Sequence, residues 1–138
     1  MPEQNINQQE KILLIEDEKI LLEMYSFKFS KDGFKVIQAK DGEDGLRLAS
    51  KEKPNLILLD IIMPKMDGFT VLKKLKEGEA TKEIPVILLT NLGQNEDMKK
   101  GLNLGALDYL VKANHTPTQV VEKIKKVLEG LNVLVLVE

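Results

Sequence analysis

Short apolar runs alternate with amphipathic stretches along the chain. The runs are Lys11 to Ile15, Phe34 to Gln38, Leu56 to Leu59, Val86 to Leu89 and Leu107 to Val111, rich in Leu, Ile and Val and nearly continuous. A run without polar alternation is how a strand covered on both faces reads. Between the runs, apolar residues recur at helical spacing: Ile20, Met24 and Phe27 in the first stretch, Leu72 and Leu75 in the third, Val120, Ile124, Val127 and Leu131 in the last. These faces predict helices laid on a sheet. Start and stop signals agree with the division. Asp41 can cap a helix with Asp44 three residues on, Thr116-Pro117 with Gln119 makes a capping box, and Gly130 suits a helix end. Pro85 stands where a strand begins, a position that tolerates a missing donor. A repeated strand–helix unit with right-handed crossovers gives an α/β, doubly wound, three-layer sandwich around a parallel sheet.

The 138 residues are 43% hydrophobic and 30% charged, enough for one globular core and against disorder. One body is expected over residues 11–130, with a polar tail (1–10) before it and an apolar extension (131–138) after it. That extension, LNVLVLVE, reads as strand-compatible and could pair with a sheet edge, dock on the body or a neighbour, or stay unstructured. Lys plus Arg number 20 and Asp plus Glu 22, a net charge of −2, which supplies no broad positive field for nucleic acid or anionic membrane. The absence of cysteine and a single histidine exclude disulfides, thiolate metal sites, a Cys nucleophile and multi-histidine centres. No run is long enough to span a membrane and the N-terminus lacks a signal pattern, so the cytoplasm is the expected location.

In open α/β sheets ligands bind beyond the carboxyl ends of the strands. The first run ends in Glu16-Asp17, the third in Asp60, the fourth in Thr90 and the fifth in Lys112. Three crowded carboxylates repel unless positive charge arrives. Lys112 and a divalent cation supply it, and Mg²⁺ suits hard oxygen ligands completed by a phosphate oxygen. The set fits phosphoryl transfer to a carboxylate nucleophile, Asp60. Each residue has a plainer role taken singly: Glu16 and Asp17 as helix-start acids, Thr90 as a strand terminator, Tyr109 as a half-buried aromatic, Lys112 as a surface cation. Asp60 is harder to dismiss, because an acid after Leu56-Ile57-Leu58-Leu59 is costly unless paired. His115 reads as a loop residue without a role, Met63 and Met66 as packing for the loop after Asp60, and Asp67-Gly68 as a turn and helix start.

KILLIEDE with Glu16 and Asp17, LILLDIIMPKMDG with Asp60, Pro64 and Gly68, PVILLT ending in Thr90, and GALDYLVK with Gly105, Ala106, Tyr109 and Lys112 together resemble the receiver domain of bacterial two-component response regulators, of the single-domain chemotaxis type. The resemblance covers about Lys11 to Glu129. It implies a five-stranded flavodoxin-like sheet of order 2-1-3-4-5, with Asp60 as phosphoacceptor. Metal ligation would come from Asp17 and Asp60 directly, Glu16 through water, and the backbone carbonyl of Ile62. Lys112 would pair with Asp60 and then the phosphoryl group, which Thr90 would hydrogen-bond. Movement of Thr90 would let Tyr109 turn inward, switching the face of the fourth helix, fifth strand and fifth helix, through which, or through the C-terminal tail, a homodimer could form. The expected partners are a sensor histidine kinase or phosphotransfer protein and a downstream protein target. No effector domain, direct nucleic-acid contact or membrane is expected, and no enzymatic turnover beyond the chain's own phosphorylation and dephosphorylation. A phosphorylation-independent scaffold is one alternative. A Mg²⁺-dependent aspartyl phosphatase is another, but it needs a second acid where Ile62 stands.

The chain departs from the family in three places. Ala113 follows Lys112 where proline is usual, and a cis bond there would cost roughly 3 to 4 kcal/mol, so either a trans peptide or strain is expected. Asn91 replaces a small residue. Ile62 and Leu92 are apolar beside the path of an attacking water, which implies slow self-dephosphorylation because neither can orient that water.

Overall fold

A computed structural model describes residues 9–137, with side chains through Leu131. The elements are β1 (Lys11–Ile15), α1 (Lys19–Lys31), β2 (Lys35–Ala39), α2 (Gly42–Glu52), β3 (Leu56–Leu59), α3 (Gly68–Glu77), β4 (Val86–Thr90), α4 (Asn95–Asn103), β5 (Asp108–Val111) and α5 (Pro117–Val137). The strands form one parallel sheet in the order β2-β1-β3-β4-β5, the doubly wound arrangement expected from the alternation of runs. β2 is displaced one residue toward the C-terminus of its expected span, and β4 includes Thr90.

Alternate strand residues fall into two apolar layers, one on each face of the sheet, as the pleat requires. Ile12, Leu14, Leu58, Ile87, Leu89 and Leu110 pack with Leu22, Tyr25 and Phe29 of α1 and Val120, Ile124 and Leu128 of α5. On the opposite face Leu13, Ile15, Ile57, Leu59, Leu88 and Tyr109 pack with residues of α2 and α3 such as Ala49, Val71, Leu72 and Leu75, and with Met98 of α4. Continuous burial of β3 and β4 explains why their sequences show no polar alternation.

The helix starts at Asp41 and Thr116 are capped as the sequence proposes, and Asp67 caps a third. The Asp41 carboxylate accepts the Asp44 N–H at 2.8 Å, and Asp67 accepts that of Thr70 at 2.9 Å. Thr116 and Gln119 exchange hydrogen bonds at 3.1 and 2.9 Å, two orphan donors satisfied at once.

Two expectations are overturned. Ile20, Met24 and Phe27 do not face the sheet: they are 79%, 40% and 71% exposed. α1 carries apolar residues around its whole circumference, so helical spacing fits more than one face. The face that docks is Leu22, Tyr25, Ser26 and Phe29, and the polar member is accommodated because Gln38 Nε2 donates to Ser26 Oγ at 2.8 Å. Gly130 does not end α5, which continues to Val137. Its φ is not in the left-handed region that closes a helix, so residues 131–137 are helical rather than extended. Residues 1–8 of the proposed polar tail, and Glu138, lie outside the described residues. No helix among those described is long and apolar enough to cross a membrane.

Replacing Ile20 or Phe27 by Lys is expected to change unfolding free energy in urea by no more than about 0.5 kcal/mol. Phe29→Ala, which empties a fully buried position, is expected to cost roughly 3 to 5 kcal/mol.

Candidate functional site

The chain leaves β1 toward β2 on one side of the sheet and returns through β3 on the other, so the crevice between the carboxyl ends of β1 and β3 is the topological switch point. Glu16 and Asp17 follow β1 and Asp60 follows β3, with its N–H still donating to Ile15 O at 3.1 Å. The carboxylates of Glu16, Asp17 and Asp60 lie within 4.8 Å of one another. Lys112 enters from the turn after β5, a short 3-10 turn over Lys112–Asn114. A cavity of about 180 Å³ opens here, lined by Asp17, Glu18, Asp60, Ile62, Asn91 and Lys112.

The buried charges are arranged around one ammonium. Lys112 Nζ donates to Glu16 Oε1 at 2.6 Å and to Asp60 Oδ2 at 3.2 Å, with all three side chains 8% exposed or less. The other Glu16 oxygen accepts the Glu18 N–H at 3.1 Å, and Asp60 Oδ1 accepts the Ile61 N–H at 2.7 Å. Burial pushes the Glu16 carboxyl above its ordinary range, despite the hydrogen bonds from Lys112 and the Glu18 backbone, and the Asp60 charge adds to the rise. Burial alone would lower the Lys112 pKa, but its hydrogen bond to Glu16 and the charges of Asp60 and Glu16 outweigh it, so the ammonium is held more firmly than usual. Both shifts have one origin, an excess of carboxylates over cations in a space with little water. A hard divalent cation fits that excess and the all-oxygen donor set.

Asp17 is exposed and Asp60 buried, so one acid reaches outward from the crevice while the other stays fixed. Ile62 is 57% exposed at the cavity wall. Thr90 is fully buried at the end of β4 but does not line the cavity, and its Oγ accepts the Leu92 N–H at 3.4 Å. Tyr109 points inward in this structure. It is 6% exposed and its hydroxyl donates to Leu92 O at 2.6 Å. Burial, with Asp97 and Asp60 nearby, pushes its phenol up to about 12. A Cβ on Gly101 of α4 would stand 2.5 Å from Leu88 Cδ1 and 3.2 Å from the Tyr109 ring, so glycine there leaves room for both side chains. No cis peptide bond occurs among the described residues, so Lys112–Ala113 is trans. The half-buried His115 ring sits 3.0 Å from Val111 O through Nδ1.

Two features were missed in the sequence. Glu18, the third member of the acidic run Glu16-Asp17-Glu18, lines the cavity. Gly68 is required by close approach: a Cβ there would meet the Asp60 carbonyl oxygen and stand 2.6 Å from Ile61 Cα. Its N–H donates to Ile61 O at 2.8 Å, which ties the start of α3 to the segment carrying Asp60.

The response regulator receiver domain profile matches residues 12–125. The chain is 44% identical over 102 residues to the DNA-binding dual master transcriptional regulator RpaA of Synechocystis, covering 74% of this chain and 42% of that protein. It is 37% identical over 118 residues to the alkaline phosphatase synthesis transcriptional regulatory protein PhoP of Bacillus subtilis, covering 86% and 48%. Among solved structures, the chemotaxis protein CheY4 of Vibrio cholerae superposes with a TM-score of 0.81 at 28% identity over 86% of this chain and 98% of that one. The receiver domain of Francisella response regulator 1452 gives 0.82 at 28% identity, over 89% and 99%. The chain spans about half the length of the curated relatives it matches. Because one of these relatives is named as DNA-binding and the other as a transcriptional regulatory protein, the exclusion of nucleic acid drawn from a net charge of −2 is not supported.

Lys112→Ala leaves Glu16 and Asp60 buried without their cation and is expected to cost roughly 3 kcal/mol at neutral pH. In that variant the Glu16 carboxyl, already pushed up by burial, would bind its proton more tightly folded than unfolded. The deficit should therefore shrink as pH falls through its raised folded pKa, and be largest above it; urea titrations across pH read this. Gly68→Ala should cost roughly 1 to 3 kcal/mol by displacing the Asp60 segment.

Proposed function

Since the chain belongs to the response regulator receiver family, a family of signalling phosphoacceptors, we propose that it takes up a phosphoryl group on Asp60 from a phosphohistidine of a cytoplasmic sensor kinase or phosphotransfer protein. The observation that carries this reading is the convergence of Asp17, Asp60 and Lys112 on one cavity at the switch point.

Asp60 Oδ2 would form the new O–P bond while the P–N bond of the donor breaks, its electron pair returning to the imidazole. Asp60 Oδ1 is held by the Ile61 N–H, which orients the carboxylate and leaves Oδ2 toward the cavity and Lys112. As Oδ2 turns into an ester-like oxygen it becomes a weaker acceptor, and the ammonium of Lys112, kept in place by Glu16, is free to follow the charge onto the phosphoryl oxygens. Mg²⁺ held by Asp17, Asp60 and the Ile62 carbonyl, with Glu16 acting through water, would supply compensating charge there. Thr90 would donate its hydroxyl to a phosphoryl oxygen. That hydroxyl is the acceptor of the Leu92 N–H, and Leu92 O is the acceptor of Tyr109, so a shift of Thr90 would be felt by the segment that latches Tyr109. The exposed stripe of Ile20, Met24 and Phe27 begins one turn from Asp17 and offers apolar surface to a protein donor at the same rim.

The names of relatives about twice its length favour a transcriptional output. A phosphatase is disfavoured because an apolar side chain, Ile62, stands at the cavity where that chemistry needs a second acid. A scaffold with an inert site is disfavoured by the placement of Asp60 and Lys112.

Incubation with a phosphoryl donor and Mg²⁺ should add one phosphoryl group to the wild type and none to Asp60→Asn or to protein in excess chelator, by intact mass. Absence of any adduct on the wild type would refute the reading. Ile62→Asn should shorten the phosphoryl lifetime, by placing a polar group beside the path of the attacking water; an unchanged lifetime would refute that assignment.

A further inference from the structure

We infer that Glu18 sets the choice of phosphoryl donor by an electrostatic gate at the cavity mouth, disfavouring small dianionic donors. The inference rests on the phosphoacceptor reading of Asp60 and deepens it. Formal charge at the site balances without Glu18. Glu16, Asp17 and Asp60 carry −3, Lys112 carries +1 and a divalent cation adds +2. Glu18 is a fourth acidic residue lining the same cavity, and its charge stands outside that balance. Among the described residues its side chain forms no hydrogen bond or ion pair that would account for it. Glu18 is the residue before α1, yet its side chain makes no capping hydrogen bond and is exposed. Only its backbone works for the fold, its N–H on Glu16 and its carbonyl accepting Leu22 N–H at 2.9 Å. The remaining side chains of the mouth, Ile62 and Asn91, carry no charge, so no cation on the lining offsets it beyond Lys112, which Glu16 and Asp60 already occupy.

A small donor must bring its whole charge through this opening. With acetyl phosphate, Asp60 Oδ2 forms an O–P bond as the acetyl–phosphate P–O bond breaks, and acetate leaves with the electron pair. The incoming species is a dianion entering a cavity that Glu18 also lines, within about one Debye length of its carboxylate. A protein donor delivers its phosphoryl group on an imidazole and can present cations of its own to Glu18. A single like charge at such a distance, in water-exposed surroundings, corresponds to roughly a three- to tenfold change in rate for a dianion, and about half that effect on a logarithmic scale for a monoanion.

The test compares wild type, Glu18→Gln and Glu18→Lys in the rate constant for Asp60 phosphorylation at saturating Mg²⁺, with acetyl phosphate and with phosphoramidate, which carries one negative charge fewer near neutral pH. Acetyl phosphate rates should rise from wild type to Gln to Lys. Phosphoramidate rates should rise less, and the differences should collapse in high salt. Equal rates in all three proteins, equal gains with both donors, or gains that persist at high salt would each overturn the gate. Failure of the wild type to be modified at Asp60 by either donor would instead overturn the phosphoacceptor reading on which it stands.

Discussion

One ammonium group lies between two buried carboxylates that the chain separates by 96 and 52 positions from it. The Lys112 bridge ties the ends of β1, β3 and β5 together across the sheet, and none of the three groups would tolerate its burial alone. Burying the strands on both faces leaves their carboxyl ends as the place where polar side chains can meet, and the reversal between β1 and β3 holds those ends apart as a crevice. The site is therefore a product of the winding, and its charge imbalance follows from the same geometry.

That imbalance bears directly on the proposed phosphoacceptor role. A paired, neutral arrangement would have little tendency to take up a cation or a phosphoryl group. Here the carboxylates outnumber the ammonium, Glu16 binds its proton more tightly than an ordinary glutamate, and Lys112 is shared. The backbone N–H groups of Ile61 and Glu18 fix one oxygen each of Asp60 and Glu16, so the excess charge is directed rather than diffuse.

Much of this was legible in the sequence because the strongest local signals and the fold agree. Runs such as Leu56–Leu59 could only be strands covered on both sides, and the residues closing them had to sit at one rim. The caps at Asp41 and Thr116 are local devices and were readable as such. What escaped was decided by contacts far apart in the chain. The apolar residues of α1 fit several faces, and the choice of Leu22, Tyr25 and Phe29 over Ile20, Met24 and Phe27 is made by β1 and α5. The apolar residues after Gly130 looked strand-like, yet the backbone there continues α5 through its local hydrogen bonds. The inward pose of Tyr109 depends on the space left by Gly101 and on the Leu92 carbonyl, neither of which spacing reveals. The dominance of Glu16 over Asp60 as the nearer partner of Lys112 is likewise a matter of tenths of an ångström.

The chain has no tryptophan and only two tyrosines, both buried, one in each apolar layer of the sheet. Excited near 280 nm, the protein therefore glows from only two fluorophores, one among the side chains beneath α1 and one against α4. With either ring replaced by phenylalanine the other is left as the sole emitter, so each layer can be watched optically in turn without attaching a dye.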